Sequence, residues 1–151
     1  MTFRDHGESS GDSPNQTPDH GNVWTRLFTV EEANEALAGV APMLAAMRDA
    51  RADLEEARRA LGQLTPKMRS NGSAALATEL EGRIDNLGRD IVEGLNRLAA
   101  MGVEVKDVSR GLIDFPSLRH DRVVYLCWQL GEGPIAYWHE IDAGFAGRRP
   151  I

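Results

Sequence analysis

The chain has 151 residues and a mass of 16.6 kDa, which suits one domain with a sizeable core and is short for two. Its 17 basic and 23 acidic side chains leave a formal charge of −6, a poor basis for nucleic-acid binding, which depends on neutralising phosphates. No apolar run approaches the ~18 residues of a membrane span, and a single cysteine excludes an internal disulfide and a multi-cysteine zinc site, so a cytoplasmic protein is expected.

Residues 1–22 hold only Met1 and Phe3 as apolar side chains among Gly, Ser, Pro, Asp and Asn. Such a segment buries too little surface to offset its ordering entropy and is expected to be a disordered tail. His6 and His20 within it read as solvated residues.

A single domain is expected over 23–151. Thr29 followed by Glu32 is a capping box, with Leu27 or Phe28 placed to staple against Ala33. Apolar residues then recur at Leu37, Val40, Leu44, Met47, Leu54, Leu61 and Leu64, a helical stripe of coiled-coil type. Pro42 is expected to kink or divide this helix near Val40. Thr65–Ser73 reads as a loop, marked by Pro66, Asn71 and Gly72. A second stripe runs through Leu76, Leu80, Ile84, Leu87, Ile91, Leu95 and Leu98, and Gly102 is placed to end it. The short connection predicts a long antiparallel helical hairpin over residues 29–101. Gly82, Gly88 and Gly94 lie inside its second helix, where they soften it or allow close approach.

From Val103 the pattern turns to strands, a β-meander over 103–141 followed by a loop over 142–151. Val103–Asp107 alternates, Gly111–Pro116 is a short extended piece closed by its proline, and Ser117–Asp121 reads as a polar loop. Arg122–Leu130 and Ile135–Ile141 are the strongest strands. A two-residue turn at Glu132-Gly133 would set Trp128 opposite Tyr137 and Leu126 opposite His139. In that register Val124, Leu126, Trp128, Tyr137 and His139 face the helices, and Cys127, Glu140 and Asp114 face away. The fold class is therefore α+β, a long antiparallel helical hairpin packed with a small C-terminal antiparallel sheet.

Several motifs occur together: Phe28-Thr-Val-Glu-Glu-Ala-Asn34, Lys106-Asp107, Gly111-Leu-Ile-Asp-Phe-Pro116, Leu126-Cys-Trp-Gln-Leu-Gly-Glu132, Trp138-His139, Gly144-Phe145 and Gly147-Arg148. Together they resemble an uncharacterised bacterial family, domain-of-unknown-function family 2203. The resemblance covers roughly Leu27 to Ile151 and implies a bacterial protein built as a helical hairpin plus a small sheet. It supplies no activity and no catalytic residues.

Polar residues suited to chemistry crowd the sheet. His139 with Glu132, Glu140 and Asp114 is a candidate set for a divalent metal ion or for acid–base work, although no ligand spacing is diagnostic. The competing reading makes His139 a core histidine bonded to one carboxylate or carbonyl. Asp114, a charge in an apolar segment, needs a partner, and Lys106, Arg110, Arg119 and Arg122 are the cations nearby. Glu31, Asn34, Arg122 and Cys127 form a second candidate polar group. A lone buried cysteine more often behaves as a small hydrophobe than as a nucleophile. Trp128, Tyr137 and Trp138 make either a core aromatic cluster or a partner-binding patch. The leading functional expectation is a non-enzymatic interaction or oligomerisation module, because two long helices bury only one stripe each and commonly complete their core against a homodimer partner or another protein. The alternative is a metal-binding protein or metal-dependent enzyme centred on His139.

Overall fold

The computed structural model describes residues 24–151, and the expected N-terminal tail with its two histidines lies outside them. Helix α1 (Val30–Gly62) begins at a complete capping box. The Thr29 hydroxyl accepts from the Glu32 amide at 3.1 Å, and the Glu32 carboxylate accepts from the Thr29 amide at 3.2 Å. Phe28, just ahead of the cap, is buried edge-on against Phe115 with ring centroids 5.1 Å apart. Its amide donates to the Pro116 carbonyl at 2.7 Å, so the helix start is tied directly to the sheet.

Pro42 does not divide α1, which is continuous across it. An interior proline removes a backbone hydrogen bond and costs about 3 kcal/mol. Here Val40 and Leu44 on either side of it are fully buried, and tertiary packing of that face holds the helix together.

The segment expected as a loop is largely helical. A short turn α2 (Pro66–Met68) passes into a π-helical turn at Arg69–Ser73, which runs directly into α3 (Ala74–Ala100). The two long helices are antiparallel: Met47 lies against Gly94, and Ala57 and Ala60 lie near Leu80. At ~1.5 Å per residue α1 and α3 span about 50 and 40 Å.

Two glycines have clear structural roles. Gly102 (φ +85°) follows the cap residue Met101 in a Schellman arrangement, in which the Val103 amide donates to the Leu98 carbonyl and the Gly102 amide to that of Ala99. Val103 and Leu98 are both buried, which turns the chain from helix into sheet with its apolar contact intact. At Gly94 an added Cβ would stand 2.7 Å from the Met47 sulfur, so this glycine lets α3 approach α1. Gly82 and Gly88 have open space around them.

The sheet is an antiparallel meander of five strands in sequential order: β1 (Glu104–Asp107), β2 (Leu112–Arg119), β3 (Arg122–Gln129), β4 (Tyr137–His139) and β5 (Arg149–Pro150). Strand β2 continues through Pro116 to Arg119 and turns on His120 and Asp121, both at positive φ, so the polar loop expected over Ser117–Asp121 shrinks to two residues. Pro116 is tolerated because β1 pairs only with residues 112–114. Its carbonyl points away from β3 to meet the Phe28 amide, so its missing N–H lies on that same unpaired side. The C-terminal loop also acquires structure, a 3₁₀ turn at Phe145–Gly147 and then β5, which pairs with β4.

The core lies between the hairpin and one face of the sheet, where Ile113, Phe115, Val124, Leu126, Trp128 and Trp138 meet Val40, Leu44 and Leu98. Among the described residues no helix is long and apolar enough to cross a membrane.

These glycine environments separate two otherwise similar substitutions. Gly82→Ala is expected to stabilise the protein by roughly 0.5–1 kcal/mol, because it lowers unfolded-state entropy in an open helical position. Gly94→Ala should gain less or lose stability, since Met47 must move. Urea unfolding of both variants checks this, and an equal gain at the two sites would contradict the close approach.

Candidate functional site

The chemistry of the sheet depends on how β4 aligns with β3. Tyr125 pairs with His139, Leu126 with Trp138 and Cys127 with Tyr137. This is one residue away from the register expected from a two-residue turn. The connection spans residues 130–136 and is held by three specific bonds. The Trp128 indole donates to the Gly133 carbonyl at 2.8 Å, the Glu132 carboxylate accepts from the Gln129 amide at 2.7 Å, and Asn34 of α1 accepts from the Ile135 amide at 2.8 Å. A slip of one residue moves every β4 side chain to the opposite face. Trp138 therefore enters the core, and His139 joins Asp114, Cys127 and Tyr125 on the face away from it.

Asp114, Cys127 and His139 come from three neighbouring strands and are all nearly inaccessible. Their potential ligand atoms lie within 4.8 Å of one another. Asp114 finds its partner in His139, whose Nε2 is 3.0 Å from Oδ1, and not in an arginine or in Lys106. Lys106 instead pairs with Glu104 at 3.0 Å and lies over the Tyr125 ring, while Arg110 and Arg119 stack on Phe145 and Trp138.

The protonation of His139 follows from its neighbours. Nδ1 is 2.7 Å from the Glu140 carbonyl oxygen, which can only accept, and Nε2 faces the Asp114 carboxylate. Nδ1 therefore donates to the carbonyl, and Nε2 lies in hydrogen-bond contact with Asp114, an arrangement that favours the protonated ring. Burial is the largest influence on the ring and pushes its pKa down. The Asp114 hydrogen bond, the Glu140 carbonyl and the Asp114 charge together outweigh it, leaving the pKa above the ordinary 6.5. Burial, reinforced by the Asp114 charge, pushes the Cys127 thiol up to about 12, and the thiol donates to Asp114. This thiol is held protonated, the opposite of the lowered pKa that activates a nucleophilic cysteine.

The other candidates are placed elsewhere. Glu132 is held by Arg148 through two contacts of 2.7 Å. Glu140 pairs with Arg122, with a 3.1 Å contact to Nε. Neither carboxylate belongs to the His139 cluster, whereas Cys127, set apart from His139 by the sequence pattern, does. Glu31 is exposed at the start of α1, and Asn34 is spent on the Ile135 amide. Trp128 and Trp138 are core residues, which leaves Tyr137 as the partly exposed aromatic beneath the Arg148 guanidinium, 4.1 Å from its ring centroid. Arg148 was not among the sequence candidates. Its clue was the Gly147-Arg148 motif near the C-terminus.

A family model described as "Uncharacterized conserved protein (DUF2203)" matches residues 26–151. The chain belongs to this family. No curated protein and no solved structure gives a significant match. The matched span includes every residue of the cluster and both helices, so the arrangement described here is that of a DUF2203 protein.

The histidine–aspartate pair makes stability pH-dependent. The raised folded-state pKa means that its contribution is fully present below about pH 6.5 and is lost as pH rises through the folded value. Chelator-treated protein is expected to unfold at lower urea concentration at about pH 8.5 than at about pH 6, and Asp114→Asn should abolish most of that difference. An unchanged difference in Asp114→Asn would contradict the pairing. Asp114→Ala, which strands the buried imidazolium, should cost about 3–5 kcal/mol.

Proposed function

We propose that this DUF2203 protein is a homotypic association module, in which two copies join antiparallel along the outer face of α3. The observation that carries this reading is the self-complementary pattern of that face. Ile84, Gly88, Val92, Asn96 and Ala100 stand at every fourth position beside a shallow groove of about 850 Å³, a small and apolar row apart from Asn96, and Val92 is 56% exposed. Flanking them, Asp85, Arg89, Glu93 and Arg97 alternate in sign at every fourth residue. Reversed, the pattern meets its own opposite: Asp85 of one copy faces Arg97 of the other, and Arg89 faces Glu93. A parallel pairing would oppose like charges.

None of these four residues enters an ion pair among the described residues, and Arg89 bonds only to Asn86 and to a backbone carbonyl. They are therefore available to a second copy. Exposed ion pairs contribute roughly 0–1 kcal/mol each, so the apolar row supplies affinity and the charges set direction. The surface patch is the same on both copies, as a twofold interface requires.

Sedimentation equilibrium tests this reading directly. The wild type is expected to sediment as a dimer, Asp85→Arg alone should weaken dimerisation at least tenfold, and adding Arg97→Asp should restore it. A wild-type monomer at high micromolar concentration, or a double variant no better than the single, would overturn the proposal.

A further inference from the structure

We propose that Asp114, Cys127 and His139 form a binding site for a borderline-soft divalent cation such as Zn²⁺. This inference is independent of association through α3. Three features of the cluster support it.

The first is the donor set. One imidazole nitrogen, one sulfur and one carboxylate oxygen suit Zn²⁺, whereas Mg²⁺ and Ca²⁺ require six or more oxygens, and the cluster offers a single carboxylate. His139 Nε2 and Asp114 Oδ1 already stand 3.0 Å apart, and the widest separation in the set is 4.8 Å. Tetrahedral coordination with bonds of ~2.0–2.3 Å needs ligand separations of roughly 3.3–3.8 Å, so the cluster must contract by only about an ångström.

The second is orientation. The Nδ1–H of His139 is anchored on the Glu140 carbonyl at 2.7 Å, which aims Nε2 at the other two donors. Metal-ligating histidines are held in this way, through a hydrogen bond from the nitrogen that does not touch the metal.

The third is charge. On binding, the Cys127 thiol loses its proton to solvent, and the thiolate, an Asp114 oxygen and a neutral His139 Nε2 hold the cation while Nδ1–H stays on the carbonyl. Thiolate and carboxylate together neutralise a dication, which matters in a buried site where an uncompensated charge is costly.

The test uses the full chain, stripped with chelator and titrated with Co²⁺ and then Zn²⁺. Cys127 is the only cysteine in the sequence, so a thiolate-to-cobalt charge-transfer band reports on it alone. Expected are one Co²⁺ per chain with this band, and its loss on adding Zn²⁺. Cys127→Ser should abolish the band and weaken Zn²⁺ binding at least tenfold while keeping the wild-type circular dichroism spectrum. Absence of the band, binding that survives Cys127→Ser unchanged, or Co²⁺ held only by the tail histidines with no sulfur band would each overturn the proposal.

Discussion

Tyr125 lies opposite His139, and this alignment decides which side of the sheet carries polar chemistry. With it, the buried side chains turned toward the helices from β2, β3 and β4 are apolar apart from the Ser117 hydroxyl, and Arg119 and Arg122 lie at the open end of that face. The other face gathers a carboxylate, a thiol and an imidazole that satisfy one another out of contact with water. The Asp114 and Glu140 contacts favour the protonated histidine, and burial together with the Asp114 charge keeps the neighbouring thiol protonated. The cluster is thus a single electrostatic unit built by strand pairing.

The register itself is imposed from outside the hairpin that displays it. Asn34, on the first turn of α1, fixes the Ile135 amide across 101 residues of sequence, and the Phe28 amide caps the unpaired side of β2 at Pro116. The start of the helix therefore determines the geometry of the sheet. Near the sheet α1 and α3 share a dense core, while farther out α3 leaves a row of small and apolar residues uncovered beside alternating charges.

Much of the architecture was legible because it depends on local physics. The Thr29–Glu32 box, the stripe from Leu76 to Leu98 and the Gly102 terminus are short-range signals with one structural solution, and the family motifs agreed with them. The alternation in Val124, Leu126 and Trp128 also placed β3 correctly against the helices. What was not legible depends on long-range contacts. The 130–136 connection follows from Asn34, Trp128 and Glu132 acting together, and no turn signature encodes that combination. Pro116 read as a strand end, because only the early end of β1 makes its position an edge. Strand β5 has two residues, one of them a proline, too short for any periodicity. The one-residue slip at β4 set His139 apart from Cys127 and Asp114; the candidate metal set kept Asp114, left out Cys127 and took in Glu132 and Glu140, sequence neighbours that arginines hold instead.

The central claim is the pairing of β3 with β4, and cross-strand nuclear Overhauser effects in the isotopically labelled protein test it most directly. Backbone contacts linking Tyr125 with His139 and Cys127 with Tyr137 are expected. Contacts linking Leu126 with His139 and Trp128 with Tyr137 would place the histidine in the helix-facing core, and the buried cluster would not exist.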